Sequence, residues 1–352
     1  MNRWITETNI PILMLSNADL QWPQNDIDEA ITMTETFVHA IRETGHPISR
    51  LYVNSNNLEE LLKPYSPDKY IIFNWCEELP GVPYSGSLVA QELEQHGYVY
   101  TGSDSFALEL GQDKHRIKLH LKAHGIPTPA WQTFTSAQIS DWEQFPAIVK
   151  PSYEHCSYGI TREAVVQSLP ELTKRVSYVL EELKQPAIVE DFIDGREFHV
   201  GVIGNGRVHV LPPAEIDYSP FDDIHDRLCT YQANFDTTSL AYQLTKPKLP
   251  VKLPRSQLSA LKKVVKAAYR ATNCRDYARM DIRLRGNTFY VLDVNHNADL
   301  SPDTSIVLGA GLMGLSYGML GSLLVNLASQ RHLKISSSIK FIKIGEKKCL
   351  EL

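Results

Sequence analysis

Four stretches of this 352-residue chain place residue types at spacings that suit phosphoryl-transfer chemistry. The first is Lys150-Pro151-Ser152-Tyr153-Glu154-His155-Cys156-Ser157-Tyr158-Gly159-Ile160, in which a lysine ends an apolar run and small residues with a glycine follow. Such a loop can close over phosphates with its backbone N–H groups while the lysine supplies charge. The plainer reading is a surface loop, where Lys, Pro and Gly are common. The second, Glu190-Asp191-Phe192-Ile193-Asp194-Gly195-Arg196-Glu197, sets carboxylates on either side of apolar residues and a glycine turn. The apolar residues can sandwich a base while a carboxylate accepts ribose hydroxyls; a hairpin connection with solvated charges is the alternative. The third and fourth are Arg279-Met280-Asp281 and Asp293-Val294-Asn295. Alternation puts Asp293 and Asn295 on one face of a strand, and a tight turn lets Asp281 face them. Three converging oxygen ligands describe a Mg²⁺ site that leaves positions for phosphate oxygens and water. A charged hairpin edge is the competing reading, which the apolar surroundings of both aspartates (MDIRL, YVLDVN) weaken.

These stretches need a scaffold. Ile10–Leu15 is an apolar run, followed by an amphipathic helix from Asp26 to Thr44 that Gly45 would end. Ile48–Val53 and Tyr70–Phe73 read as further buried strands, and a helix over Ser85–His96 stops at Gly97. This βαβα order predicts a parallel sheet covered by helices. A long connection through Thr101-Gly102-Ser103 leads to a helix over Lys114–His124, with Gly125 and Pro127 behind it. Beyond it the order becomes α+β. Phe145–Val149 and Ala187–Glu190 are short strands around a helix at Pro170–Leu183, and Glu197–Ile203 pairs with Val208–Leu211 through the turn Asn205-Gly206. Residues 212–254 hold six prolines and little periodicity, which predicts a long loop. A helix at Arg255–Ala271 carries Leu258, Leu261, Val265 and Ala268 on one stripe; two strands around Arg285-Gly286-Asn287 and two helices to Ala328 follow. The tail, 331–352, has no clear pattern and is expected to be peripheral. The fold class is thus an α/β N-terminal parallel-sheet domain, 1–112, followed by two α+β domains, 113–195 and 196–330.

Composition narrows the function classes. With 43% hydrophobic and 22% charged residues the chain can bury a real core. Its 35 Lys and Arg against 41 Asp and Glu give a net charge of −6, which argues against a nucleic-acid partner. No apolar run reaches about 18 residues, so no membrane partner is expected. The N-terminus shows no signal-peptide pattern, and five scattered cysteines without a CxxC pair fit a reduced, cytoplasmic setting. Gly309-Ala310-Gly311-Leu312-Met313-Gly314 is a literal GxGxxG, but no carboxylate stands about 20 residues on and too little chain follows for a second βαβ unit. It reads instead as one helix ending at Gly311 and another starting near Ser316. A nicotinamide-dependent oxidoreductase is therefore not favoured.

In this order the four stretches resemble the ATP-grasp superfamily, most closely its D-alanine–D-alanine ligase branch, over about residues 70–328. Thr101-Gly102-Ser103 through Asp113-Lys114 looks like the family's passage into its central domain, and Ser305-Ile306-Val307 like its acceptor-carboxylate loop. The resemblance implies an ATP-grasp fold and an ATP-dependent C–N ligase that phosphorylates a small-molecule donor and couples it to an amino acid's amine. It implies that Lys114, Lys150 and the loop around Ser157 hold the triphosphate of ATP. Glu190 with the backbone of Asp191 and Ile193 would meet adenine, and Glu197 the ribose. Asp281, Asp293 and Asn295 would bind Mg²⁺, with Mn²⁺ as a substitute, and Arg279 would stabilise the oxyanion as the amine attacks. Ser301 and Ser305 would contact the incoming amino acid's carboxylate, and residues 213–254 would form a lid that excludes water. A homodimer is common among such proteins.

The departures concern substrate. Leu15-Ser16-Asn17-Ala18-Asp19-Leu20-Gln21-Trp22-Pro23 lacks the family's Gly-, Ser- and Glu-containing amino-acid segment. Cys156 stands where a serine helps organise the substrate site, Asn234 where the lid carries a lysine, and Asp293 where the metal ligand is usually glutamate. Nucleotide and metal elements are kept while donor recognition changes. The expectation is a ligase of specialised metabolism, forming a dipeptide-type bond or the imine of a mycosporine-like amino acid. A true D-alanine–D-alanine ligase and an ATP-binding protein without turnover are the alternatives.

Overall fold

The computed structural model describes residues 2–5, 7–139, 141–155, 157–230, 232–233, 238–245, 247–335 and 340–343. The first apolar runs form a four-stranded parallel sheet, in the order Ile48–Val53, Ile12–Asn17, Ile71–Trp75, Val99–Tyr100. Every residue of Ile12–Asn17 is buried, as a parallel strand covered on both faces must be. On one face Leu13, Leu15 and Ile72 pack against the helices Leu58–Leu62 and Gly86–Gln95. On the other, Ile12, Met14 and Phe73 share a core with the helix Gln24–Arg42 and with Tyr317–Ser329 from the far end of the chain. Those two helices touch closely, because a Cβ on Gly318 would lie 1.9 Å from the Ala40 carbonyl oxygen. The GxGxxG run lies in and just after the helix Ser305–Leu312, and the Ser316 hydroxyl caps the next helix through Met319 N–H.

Two antiparallel sheets follow. The central one has the order Trp131–Phe134, Ala187–Asp191, Ala147–Pro151, Val165–Val166, with the helix Leu169–Glu181 packed on it through Leu172, Val176 and Val179. The C-terminal sheet runs Pro247–Lys248, Ala214–Ile216, Arg196–Ile203, Tyr277–Arg285, Thr288–Asn295, with His209–Val210 beside Arg196–Ile203. One face of it, bearing Phe198, Val200, Met280 and Ile282, is covered by the helix Arg255–Ala271. Alternation therefore turns Glu197, His199, Arg279, Asp281 and Arg283 to the opposite face.

Three expectations change. Residues 212–254 are not one long loop: Ala214–Ile216 and Pro247–Lys248 extend the sheet, and Leu240–Leu244 is helical. Pro247 is tolerated because its strand is the edge, where one side needs no ladder bond. The helix Ser105–Gln112 and the strand Trp131–Phe134, absent from the sequence reading, are too short to show a period. The start of the tail is structural rather than peripheral. Arg331 forks onto Asp276 (2.7 and 2.8 Å) and donates to the Tyr100 carbonyl at 2.7 Å, while Lys340–Lys343 pairs with Asn2–Ile5. Among the described residues no single helix is long and apolar enough to cross a membrane.

Candidate active site

The central and C-terminal sheets face each other across a cleft lined from both sides. Lys114, Lys150, Ser157, Glu190, Asp191, Ile193, Glu197, Asp281 and Asp293 all line it. The helix Lys114–Ala123 reaches the cleft because Asp113 caps it, accepting from His115 N–H at 2.9 Å and Arg116 N–H at 3.1 Å. That cap satisfies otherwise orphaned donors at the helix start and fixes where Lys114 leaves the backbone.

Glu190 is the best-supported group of the site. Its side chain is 1% exposed, and its Oε2 lies 3.1 Å from Lys118 Nζ and 3.2 Å from Lys150 Nζ. Lys118 also donates to Thr128 Oγ1 at 3.0 Å, and Thr128 to the Val291 carbonyl at 2.8 Å. Burial opposes ionisation of Glu190, but the two lysines outweigh it and hold the carboxyl below its ordinary value. The other oxygen, Oε1, is buried without a hydrogen-bond partner among the described residues. A buried carboxylate oxygen so placed is an acceptor awaiting a donor.

Glu197 is held differently. In the antiparallel register it faces Arg283, and His199 faces Asp281. Arg283 Nε donates to Glu197 Oε2 at 2.7 Å and His199 Nε2 lies 3.2 Å from Oε1. Against burial, these partners pull the Glu197 carboxyl down to about 2. Arg283 also donates to the Ile193 carbonyl at 3.0 Å, which ties the strand Tyr277–Arg285 to the segment after Asp191. The Asp191 carboxylate forks with Arg285 at 2.7 and 3.0 Å.

At the other end, Asp281 and Asp293 are register partners, as are Arg279 and Asn295. Arg279 grips Asp281 with both Nε and Nη2, at 2.8 and 3.0 Å, and Asn295 Nδ2 donates to the same carboxylate at 3.0 Å. Asp281 thus serves as the counter-ion of Arg279, and two carboxylates with one amide are brought together. No cluster of three His, Cys, Asp or Glu occurs among the described residues, so a cation here would need the Asn295 oxygen as well. The hard-oxygen set fits Mg²⁺. Lys114 donates to the Glu154 carbonyl, which ties it to the loop after Lys150. In that loop Ser157 adopts φ +60° and Gly159 φ +71°. His155, 3.1 Å from Gln112 Oε1, is pushed down to about 4 by burial and the nearby Lys114 charge.

Ser301 and Ser305 do not line this cleft. The Ser301 hydroxyl bonds Asp299 at 2.7 Å, and Ser305 is 3% exposed at the start of its helix, its hydroxyl without a hydrogen-bond partner among the described residues. Cys156 and Asn234 lie outside the described residues. The sequence reading missed Lys118, Arg283 and His199. Each carried a signal: Lys118 sits four residues after Lys114 between Ile117 and Leu121, and the other two follow the period of two set by Glu197 and by Arg279-x-Asp281.

The family model for the D-ala D-ala ligase C-terminus matches residues 120–325. The uncharacterized protein y4sG of Sinorhizobium fredii is 31% identical over 318 residues, 88% of this chain and 90% of that protein. The D-alanine–D-alanine ligase of Aquifex aeolicus is 31% identical over 294 residues, 81% of this chain and 91% of its own. A crystal structure of D-alanine–D-alanine ligase from Bacillus anthracis complexed with ATP superposes with a TM-score of 0.70 at 20% identity, covering 91% of this chain and 97% of that one. The chain therefore belongs to the D-alanine–D-alanine ligase family of ATP-grasp enzymes, ligases that form C–N bonds.

Proposed function

We propose that the cleft binds ATP with Mg²⁺ and that the chain couples a small-molecule donor other than D-alanine to the amine of an amino acid, as a ligase of specialised metabolism working in the cytoplasm. The observation that carries the nucleotide reading is the buried, partnerless Oε1 of Glu190. It sits on a carboxylate kept ionised by lysines, a surface that accepts the 6-amino group of adenine and repels a carbonyl. Ile148, Ile160, Ile193, Leu228 and Leu292 supply apolar walls around it. We assign Glu197 to the ribose hydroxyls, which it would share with Arg283 and His199. Lys114, Lys150 and the Ser157 loop would take the phosphates, and Asp281, Asp293 and Asn295 the cation. The metal supplies charge neutralisation of the transferring phosphoryl group. Arg279, released from Asp281, would aim its guanidinium at the oxyanion that forms when the amine attacks. We divide the chain at 1–112, 113–195 and 196–330, a division supported by the parallel sheet and the two larger antiparallel sheets, which fall one to each span.

The donor reading rests on the segment after the first long strand, Leu15–Pro23, which offers no carboxylate but Asp19, itself bonded to Gln21 N–H at 2.8 Å. A D-alanine–D-alanine ligase is the second reading, favoured by the likeness to the Aquifex aeolicus enzyme. Mass spectrometry of products from ATP, Mg²⁺ and D-alanine, with ADP followed alongside, separates the two. A D-alanyl dipeptide supports the second reading and defeats the donor argument. ATP binding without dipeptide supports the first, and absence of ATP binding defeats both.

A further inference from the structure

The stretch that follows the strand Ala214–Ile216 does more than line the cleft. Its turn Ile224–Asp226 and the two residues Leu228 and Cys229 come from the C-terminal half of the molecule, yet they are fastened to the central half. On the inside, Leu228 (4% exposed) joins Ile148, Ala164, Val165 and Phe192 in one apolar cluster, with Ile160 and Ile224 at its margin. Ile148, Phe192 and Leu228 also line the cleft, so this small cluster is the wall of the proposed base pocket. On the outside, Arg162 emerges from the end of the phosphate loop and forks onto Asp226 at 2.5 and 3.1 Å, while its Nη2 also reaches Asp223 at 2.6 Å. Asp223 in turn accepts from His225 N–H at 2.9 Å, which holds the turn in shape for the arginine. A second tie runs from Arg227 to Asp194, between the strands Ala187–Asp191 and Arg196–Ile203, at 3.0 Å.

We propose that Arg162 is a positioning residue for nucleotide binding. By clamping residues 223–226 onto the central sheet it presses Leu228 against the base pocket, so that affinity for ATP depends on an ion pair that never touches ATP. The inference rests on the reading that the cleft holds ATP. Arg162 is about half exposed, 53% by side chain, and both aspartates are partly exposed. Exposed pairs contribute little to global stability, so their loss should leave the fold intact. The segment they fasten has only a small apolar cluster of its own, and its docking equilibrium is where a weak pair can be felt. Because the pair is exposed, salt should screen it.

The experiment uses the full chain as wild type, Arg162→Glu, Asp226→Arg and the double exchange, which restores an ion pair of opposite sense. ATP with Mg²⁺ is titrated by calorimetry at low and high salt, with the unfolding temperature and the kcat and KM of ADP release measured alongside. Each single variant should bind ATP about 2- to 5-fold more weakly, as an exposed pair's strength allows, with KM raised more than kcat is lowered. The double exchange should recover most of the affinity, and salt should weaken wild type more than the single variants. Unchanged affinity in Arg162→Glu, or a double variant as weak as the singles, overturns the clamp while leaving the nucleotide reading in place. A wild type that binds no ATP overturns both.

Discussion

Replacing Lys118 by methionine isolates the electrostatics of the base pocket, because the substitution keeps the length of the stem and removes only the ammonium. Lys118 and Glu190 are each 1% exposed and 3.1 Å apart. Breaking a buried pair by deleting one partner costs about 3–5 kcal/mol, since the other charge is left without its counter-ion. Lys150 stays 3.2 Å from the same oxygen with its side chain 16% exposed, so a loss near the lower end, about 3 kcal/mol, is expected. The pH dependence follows from the sign of the shift. In the native protein the Glu190 carboxyl lies below its ordinary value of 4.5, so the stability it contributes is complete above that value and is lost as pH falls through its folded pKa. Without Lys118, burial has less opposing it and the folded pKa rises. A raised carboxyl binds its proton more readily when folded, so the penalty of the variant should shrink as pH falls from 8 toward 5. Urea unfolding at pH 8 and pH 5 reads this directly. A Lys118→Met protein within 1 kcal/mol of wild type at pH 8, as about one-third of the expected loss, or a penalty that grows on acidification, would refute the assignment of Lys118 as the counter-ion of Glu190.

Glu190→Gln should lower the preference for ATP over GTP at least several-fold, measured by competition binding, because an amide can donate to a guanine carbonyl where a carboxylate cannot. Lys150→Ala and Asp281→Asn should each abolish ATP turnover in an ADP-release assay while circular dichroism shows the fold retained; full activity in either sinks the site assignment. Asp276→Ala should destabilise the protein by about 3–5 kcal/mol in urea unfolding, since Asp276, with 0% exposure, takes bonds from Gly102 N–H (2.9 Å), Asn205 (2.7 Å) and Arg331 (2.7 Å). Gly318→Ala should lower the unfolding temperature by several degrees, because the new Cβ would collide with the Ala40 carbonyl and push two helices apart.

Much of the scaffold was legible in the chain because it follows local periods. The helix Arg255–Ala271 and the strand Ile48–Val53 have the bounds their apolar spacing predicts, and the pairing of Asp281 with Asp293 follows from a tight turn between two alternating strands. Residue types with obligatory chemistry were equally readable: lysines beside a Gly-containing loop and aspartates inside apolar strands are too costly to bury without a purpose. Hidden from the sequence was everything that depends on which distant groups meet. Lys118 reads as one more charge on a helix until the fold sets it against Glu190, 72 residues away on a strand of the central sheet. Arg331 opens a tail without a sequence pattern, yet it closes on Asp276 and Tyr100. The segment 212–254 had no period because its strands are short and its order comes from ties such as Arg196 to Glu215, 2.6 Å apart. Periodicity records only how a residue relates to its own element. Burial, counter-ions and the walls of a cleft are relations between elements, and only the tertiary structure decides them.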